Sequence, residues 1–600
     1  MIGAVPRALR CRRHRLVVPS SLSSSPLALP SLTAVAAPLP VSLPFFCRPV
    51  SMMATAAAPQ ATDTGAEPTY ADAIALLNST QTGYKVLEER RKAGITLDAV
   101  DPIRQMKTHL GYIGHEAKDL DRLNVVHVAG TKGKGTTCAF TNSILERYRS
   151  SGTADGESKV GSSGQRGRLH KIGLYTSPHL VAVRERIRIN SEPISEALFT
   201  RYFFEVWRAF EAGATASGAD PAIKPSYFRF LTLLSYHVFL REGVDAAVYE
   251  VGVGGELDAT NIFVQPAATA ITTLGIDHVE SLGATIDKIA WHKAGIMKPG
   301  SPAFTIPQEP EAMAVLEQRS RERKTLPPLQ VLDPAVYKKQ LADVRLTPAE
   351  DFQRKNAALA VCLAATVLGR LGVMDHDSVA AIQQGGDLPK QFVDGLENIV
   401  WRGRCETKVT GRQRWYLDGA HNQQSLEVAC QWFGRSVQEE DQEKTTAGGA
   451  AAASTNAINV LIFNQQSTRD SIELLRVVHK TLAGLNGTGQ SFQYAIFCTN
   501  VTYKNNSWKV DFVNNNVDPA SLKSLSLQQE LANEWRKINP ETKVVLAMPT
   551  IEDAVDYVRQ IEGGQVDIRA LITGSFHLIG GALTILEDGE DFALANTSSS

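Results

Sequence analysis

Apolar and polar positions along the chain follow two alternating periods. Short apolar runs recur at Val125–Val128, Ile172–Tyr175, Ala246–Val251, Thr269–Leu274 and Ala303–Ile306. Between them lie stretches with helical spacing, among them Glu196–Glu211, Tyr227–Leu240 and Ile286–Ile296. Strands separated by helices predict a largely parallel sheet covered on both faces. A second block of the same kind starts near Trp401. Its predicted strands are Thr407–Thr410, Trp415–Leu417, Val460–Phe463, Tyr494–Cys498, Val544–Ala547 and Ala570–Thr573. Its predicted helices are Leu426–Val437, Ser471–Leu482, Leu527–Lys537 and Ile551–Ile561. The pattern is that of an α/β protein with a larger domain over 66–398 and a smaller one over 399–590, divided near Glu397–Arg402. Two segments break the alternation and read as insertions. Gly152–Arg168 is rich in Gly and Ser, and Gln438–Asn456 is acidic and then Ala/Gly-rich, which predicts a flexible stretch.

Composition narrows the classes. A chain of 600 residues buries a core without difficulty. A net charge of -1 with no large basic face argues against a general nucleic-acid binder. The 7 cysteines are scattered without metal-ligand spacing and read as reduced intracellular thiols. No apolar segment has the length of a membrane span. Residues 1–62 differ from the rest: they contain no Asp or Glu, and Arg7, Arg10, Arg12, Arg13, Arg15 and Arg48 stand among Ser, Leu, Ala and Pro. That composition predicts a transit peptide to the mitochondrial matrix, with an address-free tail as the alternative. A start at Met52 or Met53 deletes the segment, so a cytosolic form is expected as well.

The chemistry is concentrated at Asn124–Thr137, NVVHVAGTKGKGTT. A predicted strand runs into Gly130, Thr131, Lys132, Gly133, Lys134, Gly135 and Thr136, and helical spacing resumes at Cys138. Strand, glycine turn and helix make a phosphate cradle. Glycines let backbone N–H groups approach the anion, the helix start adds positive potential, and Lys134 can reach terminal phosphates. The strict P-loop spacing fails, because Gly135 separates Lys134 from Thr136. A tight turn with solvated lysines is the bland reading.

Three more strand ends carry reactive side chains: Thr176-Ser177-Pro178-His179, Glu250 before Gly252, Gly254 and Gly255, and Asp277-His278. Ligands of open parallel sheets bind beyond the carboxyl ends of the strands. Ser177, Glu250 and His278 are thus candidates to hold Mg²⁺ against ATP phosphates. Singly, each has a structural reading: a turn cap, a solvated strand end and a satisfied histidine.

Several long segments resemble folylpolyglutamate synthases of the eukaryotic type, relatives of the Mur peptide ligases. They are HVAGTKGKGTTCAF at His127–Phe140, TSPHLVAVRERIRIN at Thr176–Asn190, YFRFLTLLSYHVF at Tyr227–Phe239 and EVGVGGELDATN at Glu250–Asn261. They continue with LGIDHVESLG at Leu274–Gly283, IAWHKAGIMKPG at Ile289–Gly300, WRGRCE at Trp401–Glu406, WYLDGAH at Trp415–His421 and TGSFHLIGG at Thr573–Gly581. The resemblance implies a P-loop ATPase domain followed by a Rossmann-like domain. It implies an ADP-forming ligase that adds L-glutamate to the γ-carboxylate of a reduced folate through an acyl phosphate, most simply as a monomer. ATP and Mg²⁺ are the implied cofactors, and a monovalent cation is a further candidate. By this match Lys134, His278 and Lys293 are catalytic, Ser177, Glu250 and His278 hold the metal, and Arg404, Asp418 and His421 reach the nucleotide from the second domain.

Taken alone, Arg404 reads as a surface ion pair and Asp418 as a turn residue. Lys293 aligns with a lysine carbamylated in some bacterial relatives. This chain departs beside it, with His292 where relatives often carry Glu or Gln and Phe352 where many have histidine. The plain reading of Lys293 is a charged helix residue near the phosphates. Tyr227, Phe228 and Phe230 are pterin-pocket candidates whose spacing equally suits core. The competing functions are a bifunctional dihydrofolate synthase, a cell-wall ligase and a nucleotide switch without ligase activity.

Overall fold

The computed structural model describes residues 67–83, 86, 101–150, 168–448, 457–465, 471–484, 492–504, 511, 523–564 and 566–597. Contacts divide the chain into Met1–Thr62 and Asp63–Ser600. The arginine-bearing first unit lies outside the described residues, and both sheets belong to the second.

Eight strands form the first sheet: β1 Val126–Ala129, β2 Ile172–Tyr175, β3 Ile187–Ile189, β4 Glu192–Pro193, β5 Ala246–Glu250, β6 Ala268–Ile271, β7 Ala303–Thr305 and β8 Gln330–Val331. Their order is β4-β3-β2-β5-β1-β6-β7-β8. The six from β2 to β8 in that order are parallel, and β3 and β4 add an antiparallel edge. Every residue of β1, β2, β5 and β6 is buried, which is why these strands read as continuous apolar runs. Alternate side chains enter different cores. Ala246 and Val248 join Phe140, Leu359 and Phe392 on one face. Ala247 and Tyr249 join Phe199, Phe230 and Phe239 on the other. Strands β3, β4 and β8 carry no apolar run, so periodicity did not predict them.

The second sheet contains β9 Glu406–Thr410, β10 Gln413–Asp418, β11 Ile458–Phe463, β12 Tyr494–Cys498, β13 Val544–Met548 and β14 Ile568–Thr573, in the order β13-β12-β11-β14-β10-β9. Only β9 runs antiparallel to its neighbour. Trp415 and Leu417 face one core and Tyr416 the other. The two domains are bound by more than the chain between them. Leu180, from the segment after β2, is buried in a core of the second sheet. The Tyr70 hydroxyl and the Val183 amide both donate to Asp511, each at 2.7 Å.

One expectation is corrected. Residues 438–448 of the expected flexible insertion continue the helix Gln423–Gly448. Their acidic run has partners: Glu440 accepts from the Tyr416 hydroxyl and pairs with Arg414 and Arg569, each at 3.2 Å, and Asp441 pairs with Arg569. Arg569 is buried on β14, so these acids neutralise a charge the sheet has already taken out of water. Residues 449–456 lie outside the described residues, as do 151–167 of the Gly/Ser-rich insertion. No described helix is long and apolar enough to cross a membrane.

Breaking a buried ion pair from one side is costly because the remaining charge keeps its desolvation penalty. Arg569→Ala is expected to destabilise the protein by about 3 kcal/mol or more. It should also speed hydrogen exchange in the 438–448 stretch. Urea unfolding and exchange mass spectrometry check both.

Candidate active site

The site is built at the carboxyl ends of β1, β2, β5 and β6. Strand β1 ends at Ala129, and the helix Lys134–Glu146 begins after Gly133, whose φ of 86° is left-handed. A Cβ on Gly133 would stand 2.1 Å from the Asn356 side-chain oxygen, so only glycine lets the turn and this asparagine meet. The turn is pinned to β6. The Thr131 and Lys132 amides donate to the Thr273 carbonyl at 2.9 and 3.0 Å, and the Thr272 hydroxyl donates to the Lys132 carbonyl at 2.6 Å. Gly135 and Thr136 lie in the first turn of the helix.

Two ammonium groups converge on one backbone oxygen. The Gly130 carbonyl accepts from Lys134 Nζ at 3.2 Å and from Lys293 Nζ at 2.9 Å. Lys293 sits on the helix Ile286–Ala294, whose backbone passes so close that a Cβ on Gly255 would stand 2.7 Å from the His292 carbonyl. Lys293 lies on a helix against the phosphate turn, and it is buried there, only 3% exposed. Burial first, and then the Lys134 charge, push its pKa down to about 7. Lys132 is pushed down to about 8, mainly by burial, while Asp277 at 3.6 Å opposes the shift.

Glu250 closes β5 as a buried carboxylate. It accepts from the Ser177 amide at 3.0 Å. Burial raises its pKa, against the opposing pull of Lys134, the Ser177 amide and Arg404. A Cβ on Gly135 would lie 3.4 Å from Glu250 and 3.5 Å from Trp401, so the first turn of the phosphate helix faces both. His278 stands exposed, in left-handed conformation, before the short helix Val279–Leu282. Its amide donates to the Asp277 side chain at 2.8 Å. Among the described residues no group of three or more His, Cys, Asp and Glu side chains is arranged to hold a metal.

The second domain brings Arg404, Asp418 and His421. Arg404 lies over the Phe576 ring, 4.2 Å from its centroid, with Nη1 3.8 Å from the Asp418 carboxylate. Asp418 is buried at the end of β10 and accepts from the Cys405 amide at 2.8 Å. Burial raises its pKa and Arg404 opposes this. His421 is pushed down to about 4, first by burial and next by Arg404. Its Nδ1–H therefore donates to the Gly419 carbonyl at 2.9 Å, leaving Nε2 as an acceptor. The charges of Lys132 and Asp277 also act on His421, so the end of β10 shares the field of the phosphate turn.

The aromatic candidates separate. Phe230 is fully buried core, whereas Tyr227 and Phe228 are half-buried beside it. Sequence reading missed Asn356, Gln353 and Trp401 as site residues. Asn356 and Gln353 are buried polar residues in the first turns of a helix that becomes apolar and Ala-rich directly after Asn356, and that junction was the available signal.

No family model matches the sequence. Curated relatives do. A folylpolyglutamate synthase of Neurospora crassa is 47% identical over 527 residues, covering 87% of this chain and 92% of the relative. The chain belongs to the folylpolyglutamate synthase family. A Saccharomyces cerevisiae synthase is 39% identical over 530 residues, covering 86% of this chain and 87% of its own. Among solved structures, the Mycobacterium tuberculosis folylpolyglutamate synthase complexed with ADP shares the fold at a TM-score of 0.57 and 22% identity, covering 86% of this chain and 99% of that one. Escherichia coli FolC in complex with DHPP and ADP gives 0.55 and 19%, covering 87% and 99%. The chain is accordingly an ADP-forming ligase that adds glutamate to folates at the expense of ATP. The folylpolyglutamate synthase name of both curated relatives favours that activity over the bifunctional alternative.

Lys293 makes a pH prediction for this synthase. Its folded pKa of about 7 lies below its ordinary 10.5, so between these values the unfolded chain binds more protons. Stability at this site therefore rises with pH through that window, and below about 7 the penalty is complete. Lys293→Met should flatten the dependence, measured by urea unfolding at neutral and alkaline pH.

Proposed function

We propose that ATP binds between the two domains with its terminal phosphates on the turn Gly130–Thr136, and that the folate γ-carboxylate is activated there as an acyl phosphate. The carrying observation is the paired approach of Lys134 and Lys293 to one carbonyl, an excess of positive charge that favours a polyanion. A carboxylate is a poor electrophile. Its oxygen attacks the γ-phosphorus, ADP departs, and the glutamate amine then displaces phosphate from the acyl carbon. Lys134 and Lys293 stabilise charge that grows on the phosphoryl oxygens. Lys132, Arg404 and His421 extend the contact to the rest of the nucleotide, and Asp418 accepts from ribose hydroxyls. Trp401, beside Gly135, helps exclude water that would hydrolyse the acyl phosphate. In this reading the half-buried Tyr227 and Phe228 line the pterin side.

The residues also fit Mg²⁺. Glu250 is a buried carboxylate whose burial penalty a cation would relieve, and the Ser177 hydroxyl is a hard oxygen donor beside it. Mg²⁺ commonly takes one or two protein carboxylates and fills its remaining positions with phosphates and water, so one buried carboxylate is enough for a cation shared with ATP. Ser177, Glu250 and His278 would hold it, where it would neutralise phosphoryl charge. Radiolabelled glutamate, ATP and tetrahydrofolate, with product length resolved, test the ligase reading directly. Glu250→Gln keeps the shape and removes the charge. Its activity is expected to fall and to recover partly at high Mg²⁺, and an unchanged Mg²⁺ requirement would remove Glu250 from the metal set.

We likewise assign the full chain to the mitochondrial matrix as a monomer and a shorter form to the cytosol. The support is the acid-free, arginine-bearing composition of residues 1–62. A chain starting at Met53 should be cytosolic and active, while the full chain reaches mitochondria. Fractionation checks this, and an identical distribution of the two forms would reduce the segment to an address-free tail.

A further inference from the structure

The segment RERIRIN places three arginines around β3, and they are not used alike. Arg184 donates from Nη1 to the Ile194 carbonyl. Arg188 donates from Nε to the Glu185 carbonyl and from Nη1 to the Ser191 carbonyl. Arg186 donates only from Nε, to His179 Nδ1 at 3.0 Å. Its two Nη groups have no partner among the described residues, and no described carboxylate stands within 4.0 Å of them. The cations of the candidate site, Lys132, Lys134, Lys293 and Arg404, each have a protein oxygen nearby.

The guanidinium is nevertheless held in place. The His179 nitrogen that accepts from Arg186 carries no proton, so the other, Nε2–H, donates to the Asp511 carbonyl at 3.2 Å. His179 is thus a neutral strut between Arg186 and a residue of the second domain. The Tyr227 ring lies 5.5 Å from the guanidinium carbon. Arg186 is also tied by its backbone to the strand end that carries Ser177. Its carbonyl accepts from the Thr176 amide at 3.2 Å, one residue before Ser177, and its charge is felt by Glu250 and by His577 of the second domain.

We propose that Arg186 is the clamp for the α-carboxylate of the incoming L-glutamate. The inference rests on the ligase reading above and adds a substrate subsite to it. A free Nη pair forms a planar fork that matches a carboxylate with two parallel hydrogen bonds. Folate brings a large aromatic body to its own recognition, but glutamate has only its charges, so a fixed cation is what its binding requires. The α-carboxylate shares a carbon with the attacking amine. Clamping it beside Glu250 and Ser177 orients that amine toward the acyl carbon. Because the strut reaches Asp511, the clamp is fully set only where the two domains meet.

The test separates substrates. Arg186→Gln should raise KM for L-glutamate by about 10- to 150-fold, the span for one lost charge-assisted contact, while KM for ATP and folate stays within about threefold. Arg186→Lys restores charge without the fork and should fall between. Folate-dependent ADP formation without glutamate should persist in both variants, and its loss would implicate the activation step instead. Wild-type enzyme offers a second arm that needs no variant: glutamate 1-amide, which lacks the α-carboxylate, should be a far poorer substrate than glutamate. The clamp is overturned if wild-type enzyme uses the amide as well as glutamate, if KM for glutamate is unmoved in Arg186→Gln, or if the loss falls on folate. Absence of glutamate incorporation by wild-type enzyme would count against the ligase reading.

Discussion

Two ammonium groups on one carbonyl oxygen organise this site. Lys134 comes from the helix that follows the phosphate turn, and Lys293 from a helix far along the chain, yet both donate to Gly130. Like charges this close repel, and burial removes the water that would screen them. The protein bears that cost with a neutralising response at Lys293, whose pKa falls to about 7. A bound phosphate group would reverse the balance. The crowding that destabilises the free site would then become affinity for a polyanion.

The rest of the architecture keeps these groups together. The turn reaches Gly130 because β1 is central and parallel to β5 and β6, which places Glu250 and the Thr272–Thr273 anchors on either side. Gly255 lets the helix bearing Lys293 close over it. The second domain is locked on by Leu180 and Val183, which are first-domain residues of the segment that also carries Ser177. A single stretch thus contributes to the metal candidate, the domain seam and the arginine-bearing β3. Movement of one domain against the other would be felt at all three.

Much of the fold was legible. Predicted strands Ile172–Tyr175 and Tyr494–Cys498 coincide with β2 and β12, because a strand buried on both faces has no choice but continuous apolar character. Strands β3, β4 and β8 were invisible for the converse reason: they lie at or near the sheet edge, are short and carry polar residues. The acidic stretch after Val437 misled because composition cannot show that Arg414 and Arg569 stand opposite it. Asn356 was missed because its role comes from a contact more than two hundred residues away, at Gly133.

By itself the sequence determined the local elements and the chemical inventory: two α/β blocks, a glycine turn between strand and helix, and reactive side chains at strand ends. These follow from backbone sterics and from burial periodicity, which act over a few residues. Tertiary structure alone decided which charges are paired, which are buried and which remain available. Lys293 became a buried ammonium, Arg404 and Asp418 a pair, and Arg186 a guanidinium whose Nη groups meet no partner among the described residues. The physical reason is that desolvation and Coulomb energy depend on distance in space, and the chain reaches these distances only after both sheets have formed and packed.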